Sequence, residues 1–245
     1  MSSTLAQDYS AYKKERFVKG QDTLPYRILL PKNYDATKKY PMILFLHGSG
    51  ERGSDNELQL THGADLFLKP EVQAQFPAIV VFPQCKENRS WNNTAYNIAY
   101  GKRVFNYPAV VKPNVHQELL ESLIDNLKSE YPIDAQRLYI GGLSMGGMGT
   151  FEAVLRNPDL FAAAFAICGG ANPRISETLS NTPFWIFHGE QDNVVPIQGS
   201  RKIYEALKEK NADVKFTAYP GVEHDSWTNA FAEPELLPWL FSKSR

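Results

Sequence analysis

The chain has 245 residues, 43% of them hydrophobic and 12% aromatic, and a formal net charge of −1. That composition excludes a largely disordered chain, and the balanced charge gives no basis for a nucleic-acid partner or an anionic membrane surface. No apolar run approaches the roughly 20 residues of a membrane span, and two cysteines are too few for a disulfide framework or a cysteine-built metal site, so Cys85 and Cys168 read as buried thiols.

The first segment, MSSTLAQDYSAYKK, reads as ragged over residues 1–15 and looks like the tail of a signal peptide, with Ala6-Gln7 where cleavage would fall. A secreted or periplasmic chain that has lost its leader begins this way, and so does a cytoplasmic chain with an irregular start. LPYRILLP (24–31) alternates and then turns apolar, which predicts a strand. PMILFLHG (41–48) and AIVVFPQ (78–84) are apolar on both faces, as interior strands of a parallel sheet are. Between them NELQLTHGADLFLKPEV (56–72) has helical spacing. The segment 86–113 carries Trp91, Tyr96, Tyr100, Phe105 and Tyr107 and is too long for an ordinary connection, so it reads as an aromatic lid or binding loop.

NVHQELLESLIDNLKSEYPID (114–134) is amphipathic, with Leu119, Leu120, Leu123, Ile124 and Leu127 on one face. Then come strand RLYIGG, helix GGMGTFEAVLRNP, strands FAAAFAICGG and PFWIFHGE, helix SRKIYEALKEKNA, strand VKFTAYPG and a closing helix near WTNAFAEPELLPWLF. Strands alternating with helices predict an α/β fold in one domain, 1–245, with a mostly parallel, doubly wound sheet that opens on an antiparallel pair.

Gly142-x-Ser144-x-Gly146 follows a strand and opens a helix. This is the pattern of a nucleophile elbow, a sharp turn that exposes a serine above the sheet edge. Phosphate binding is disfavoured, because neither Gly-x-x-x-x-Gly-Lys-Ser/Thr nor an early Gly-x-Gly-x-x-Gly is present. A serine hydroxyl needs a base, and the base needs an orienting carboxylate.

Five histidines compete for the base. His116 falls on the polar part of a helix and reads as solvated, and His62 reads as structural. His47 and His188 each end a strand as His-Gly, where they brace loops. His224, between the last strand and the closing helix, sits where open α/β sheets gather their sites. The acid is expected after the preceding strand, in FHGEQDNVVP, as Asp192 in preference to Glu190. Asp213 and Asp225 read as solvated. The resulting order is Ser144, Asp192, His224. Oxyanion donors are expected from the backbone of Met145 and of Ser49, with Gly48 as alternative. Glu51 and Arg52 read as a loop-bracing ion pair.

LHGSGERGSDN, GGLSMGGMGTFE, HGEQDNVVP and HDSW together resemble the α/β-hydrolase superfamily, and within it compact esterases related to dienelactone hydrolases, phospholipase/carboxylesterases, and acetyl xylan and feruloyl esterases. The resemblance implies an α/β-hydrolase sheet of about eight strands without a large cap, the triad Ser144, Asp192, His224, and neither metal nor organic cofactor. Its implied substrate is a small-molecule or carbohydrate ester, with a thioester as an alternative for the same residues. The alternative of another class is a non-catalytic ligand-binding protein on the same fold, and the three filled triad positions argue against it. Prolyl-oligopeptidase-type peptidases share the catalytic domain but add a large gating domain for which this sequence has no residues, so peptides are the lesser expectation. Trp91 and Trp227 flank the site in sequence and are candidate substrate-binding rings, with burial in the core as the competing reading. The oligomeric state is left open.

Overall fold

The computed structural model describes residues 8–245, so the cleavage-like Ala6-Gln7 lies outside the described residues. Its strands are β1 (Lys13–Lys19), β2 (Asp22–Leu29), β3 (Tyr40–Leu46), β4 (Ile79–Pro83), β5 (Ala95–Ala99), β6 (Lys102–Asn106), β7 (Ile133–Leu143), β8 (Ala163–Ile167), β9 (Phe184–Gly189) and β10 (Val214–Tyr219). The helices are α1 (Pro70–Gln75), α2 (Val115–Glu130), α3 (Met145–Arg156), α4 (Ser176–Leu179), α5 (Gln198–Glu209), α6 (Trp227–Phe231) and α7 (Leu236–Phe241).

Eight strands make one sheet in the order β1-β2-β4-β3-β7-β8-β9-β10. β2 pairs antiparallel with β1 and with β4, and every other pairing in this sheet is parallel. The chain leaves β3 to one side for β4 and returns on the other side as β7. The order therefore reverses between β3 and β7, and a crevice opens at their carboxyl ends.

The continuous apolar runs are explained by burial on both faces. In β3, Met42, Leu44 and Leu46 join the core layer that contains Leu123, Ile124 and Leu127 of α2. Ile43 and Phe45 point the other way, into the layer containing Trp239 and Leu240 of α7. All five β3 side chains are completely buried, each worth about 1.5–3 kcal/mol relative to exposure. Asn114 caps α2, its Oδ1 accepting from the N–H groups of His116 (3.0 Å) and Gln117 (3.3 Å).

Three expectations are corrected. Residues 56–72 do not form one helix: they make short 3₁₀ turns at Leu58–Leu60 and Leu66–Leu68 and then α1. Gly63 interrupts them at φ 84°, where a Cβ would fall 2.2 Å from the ring of Phe231. The first residues are not ragged to 15, because Tyr12 is buried, donates to the Ala64 carbonyl (2.8 Å), and leads into β1. The long aromatic segment is not irregular throughout, because β5 and β6 pair as a hairpin turning at Tyr100 and Gly101. No helix among the described residues is long and apolar enough to cross a membrane.

Candidate active site

β7 ends at Leu143 and α3 begins at Met145, leaving Ser144 between them at φ 53° and ψ −113°. Such a backbone costs on the order of 1–3 kcal/mol and persists only where its surroundings enforce it. Here the Ser144 N–H donates to the Ile167 carbonyl (2.8 Å), and the Ser144 carbonyl accepts from the Met148 N–H (3.0 Å). The flanking glycines are steric requirements. A Cβ on Gly146 would lie 1.9 Å from the Leu46 carbonyl oxygen, and one on Gly142 would lie 2.4 Å from the Gly146 oxygen.

The loops after β7, β9 and β10 bring three side chains into one hydrogen-bonded line. Ser144 Oγ lies 3.0 Å from His224 Nε2, and His224 Nδ1 lies 2.7 Å from Asp192 Oδ2. The other Asp192 oxygen accepts from the N–H groups of Val194 and Val195, both at 2.8 Å. Burial opposes ionisation of Asp192, but hydrogen bonds from His188, His224 and the Val195 N–H outweigh it and hold the carboxyl well below the usual range. An ionised acceptor at Nδ1 fixes the His224 proton there and leaves Nε2 free to accept from the serine hydroxyl.

The loop after β3 passes over this line. A Cβ on Gly48 would come within 3.6 Å of Ser144 Cβ. His47 is completely enclosed, with Nδ1 2.6 Å from the Gly48 carbonyl oxygen and Nε2 3.0 Å from the Cys85 N–H. Burial pushes its pKa down to about 4, so the ring is neutral, donating from Nδ1 and accepting at Nε2. In a trans peptide the N–H points opposite to the C=O. Pinning the Gly48 carbonyl to His47 therefore aims the Ser49 N–H away from His47. Met145 and Ser49 are the first residues of α3 and of a 3₁₀ turn, so neither N–H has an acceptor within its own helix.

The remaining sequence candidates divide. Trp227 is half-buried, with its ring centroid 5.5 Å from His224 and 4.8 Å from His62. Trp91 is fully buried between His47 and His116, so its ring is unavailable to a substrate and the core reading replaces the binding one. His116 is not solvated. The 86–113 segment folds over the start of α2, the His116 Nε2 accepts from the Lys86 N–H (3.2 Å), and burial lowers its pKa to about 4. Glu51 and Arg52 do not pair: Glu51 faces His62 at 3.6 Å, and Arg52 donates to the carbonyls of Ser49 (2.9 Å) and Arg89 (3.3 Å). Asp213 is not free in solvent, since Lys243 meets it at 2.6 Å. Glu190 pairs with Arg201 at 3.3 Å. Sequence reasoning missed the second contact of His188, whose Nε2 lies 3.1 Å from Asp192 Oδ2. Its spacing of four residues from Asp192, across the turn that ends β9, was the available signal.

Cys85 and Cys168 are free and buried. Cys168, Asp192 and His224 bring potential metal-ligand atoms within 4.8 Å of one another. Burial raises the Cys168 thiol far above its usual range, so it stays protonated and is a poor ligand, and the other two groups are already bonded to each other.

Known proteins resemble this chain in sequence and fold. A bifunctional acetylxylan esterase/xylanase, XynS20E, of Neocallimastix patriciarum is 34% identical over 115 residues, covering 44% of this chain and 17% of that protein. A probable feruloyl esterase C of Aspergillus terreus is 23% identical over 215 residues, covering 86% of this chain and 72% of the relative. A solved thermostable esterase superposes with a TM-score of 0.85 at 36% identity, covering 96% of this chain and 64% of that one. The chain thus spans less than a fifth of the Neocallimastix protein and under two thirds of the thermostable esterase. The pattern of the phospholipase/carboxylesterase family matches residues 33–234, the span from the loop after β2 to just before α7 that holds the elbow, the acid and the histidine, and the chain belongs to that family.

Proposed function

We propose that the protein is a serine carboxylic-ester hydrolase acting through an acyl-enzyme. The observation that carries this reading is the unbroken line from Ser144 Oγ through His224 to a buried, ionised Asp192. Ser144 attacks the ester carbonyl as His224 Nε2 takes its proton, and Asp192 stabilises the imidazolium that forms. The oxyanion is held by the N–H groups of Met145 and Ser49, whose orientation the elbow and His47 fix before substrate arrives. His224 then returns the proton to the leaving alcohol, and water repeats the sequence on the acyl-serine.

Trp227, beside His224, offers an aromatic face to the acyl or alcohol group. Together with the esterase names of the relatives, it supports short-chain, aryl or carbohydrate esters as the substrate class. The test is initial-rate hydrolysis of p-nitrophenyl acetate, butyrate and octanoate, methyl ferulate and acetylated xylan, with Ser144→Ala as the blank. Ser144-dependent turnover favouring ferulate or xylan acetate assigns a polysaccharide ester, and turnover of nitrophenyl esters alone assigns a small-ester enzyme. Absence of Ser144-dependent turnover on every substrate removes the proposal.

A further inference from the structure

A concave surface lies against Tyr107 and reaches Pro196, in the loop that carries Asp192. It is a cavity of about 400 Å³ between β6, the loop after β8, and the end of the loop after β9 with the first turn of α5. Asp192 is carried by the second of these loops, and the first begins at Cys168, whose N–H bonds the Phe187 carbonyl. The Tyr107 phenol oxygen packs against Gly170 and Gly199, where a Cβ on either would lie 2.5 Å from it. The absence of a side chain at these two glycines lets the loop after β8 and the first turn of α5 close on the Tyr107 ring.

The wall chemistry is specific. Arg103 of β6 and Lys202 of α5 both line the space, and no carboxylate does. Neither cation takes part in an ion pair among the described residues. The Arg103 guanidinium is seated 5.0 Å from the centre of the Tyr96 ring. Phe105 stacks on Tyr107 at 5.9 Å and 14°, continuing an aromatic surface from Tyr96. Gln198 adds an amide to the same wall, whereas the Asn172 amide is engaged, donating to the Tyr107 carbonyl (2.8 Å) and accepting from the Arg174 N–H (3.0 Å). Flat rings suit the C–H face of a sugar, amides suit its hydroxyls, and a pair of unneutralised cations suits a carboxylate. A hydrophobic acyl chain would waste both charges and the Gln198 amide.

We propose that this cavity is a subsite for a uronic-acid unit of an acidic glycan, held by Arg103 and Lys202 at its carboxylate and by the Phe105–Tyr107 surface at its ring. The inference rests on the ester-hydrolase reading only in taking that glycan as part of the ester substrate.

The binding test does not need turnover. Wild-type protein is titrated calorimetrically with a glucuronic-acid-substituted xylotriose that carries no ester, with unsubstituted xylotriose, and with a glutamate pentapeptide. The acidic saccharide should bind at least tenfold more tightly than the neutral one and than the peptide, and the difference should shrink in 1 M salt. The double variant Arg103→Gln/Lys202→Gln should lose roughly tenfold affinity for the acidic saccharide while keeping wild-type turnover of p-nitrophenyl acetate. Equal binding of acidic and neutral saccharides, an unaffected double variant, or peptide binding as tight as the acidic saccharide overturns the proposal. Saccharide binding by a protein that hydrolyses no ester would refute the esterase reading and leave the subsite standing.

Discussion

Replacing His47 with glutamine tests how the fold prepares the oxyanion site. His47 touches no substrate in this account. It holds the Gly48 carbonyl at 2.6 Å and receives the Cys85 N–H at 3.0 Å, inside a fully enclosed pocket. Glutamine cannot reproduce both contacts with the same geometry, so a buried carbonyl or N–H loses its partner, at a cost of about 1–3 kcal/mol per group. With the peptide unpinned, the Ser49 N–H loses its aim, and one oxyanion donor is worth roughly 10²–10³ in turnover. The expected result is therefore a kcat on p-nitrophenyl acetate lowered about a hundredfold with KM nearly unchanged. The same residue sets a pH signature. Its folded pKa of about 4 lies below the 6.5 of the unfolded chain, so the unfolded state binds the extra proton between those values. Stability from this group is complete above pH 6.5 and lost as pH falls towards 4, by about 3 kcal/mol in all. Urea unfolding of wild type and His47→Gln from pH 7 to 4 should give a shallower acid decline in the variant, with the share due to His116 remaining. A variant with kcat within threefold of wild type, or with an identical pH slope, would refute the reasoning.

Further outcomes follow from the same geometry. Asp192→Asn should lower kcat by about 10⁴ in steady-state assays while leaving KM close to wild type, because the amide removes the charge opposite His224 Nδ1. Gly146→Ala should fail to fold stably, since its methyl would overlap the Leu46 carbonyl, and a melting curve matching wild type would contradict the packing. Trp91→Phe should cost about 1–3 kcal/mol in denaturant unfolding with little change in KM. Trp227→Ala should do the reverse, raising KM for aryl esters several-fold at near-native stability. Similar KM changes in both tryptophan variants would restore Trp91 as a binding residue.

The sequence was most readable where one physical constraint acts alone. Runs such as MILFL (42–46) are apolar at every position because both sheet faces are covered, and β3, β4 and β8 follow that logic. The elbow was readable because a carbonyl 1.9 Å from a hypothetical Cβ permits only glycine at 146. Reading failed where tertiary contacts decide. β1, KKERFVK, is an edge strand exposed along most of its length, so it lacks the apolar pattern of a buried strand, and its first three residues fall in the segment that reads as ragged. Leu60 and Leu66 are buried by separate turns on either side of Gly63 rather than by one helical face, and Leu58 is exposed. His116 looked solvated on a helical wheel because the wheel does not include the distant segment that covers it. Trp91 and Trp227 are equally aromatic in sequence, and only packing makes one a core residue and the other a neighbour of His224.

The most direct measurement is intact-protein and peptide mass spectrometry of the enzyme quenched during p-nitrophenyl butyrate turnover. The account predicts one butyryl group on the peptide carrying Ser144, with none on the Ser144→Ala protein, whose turnover should fall on the order of 10⁶-fold. A butyryl group on another residue, or a Ser144→Ala protein that still turns over the ester at the wild-type rate, would contradict it.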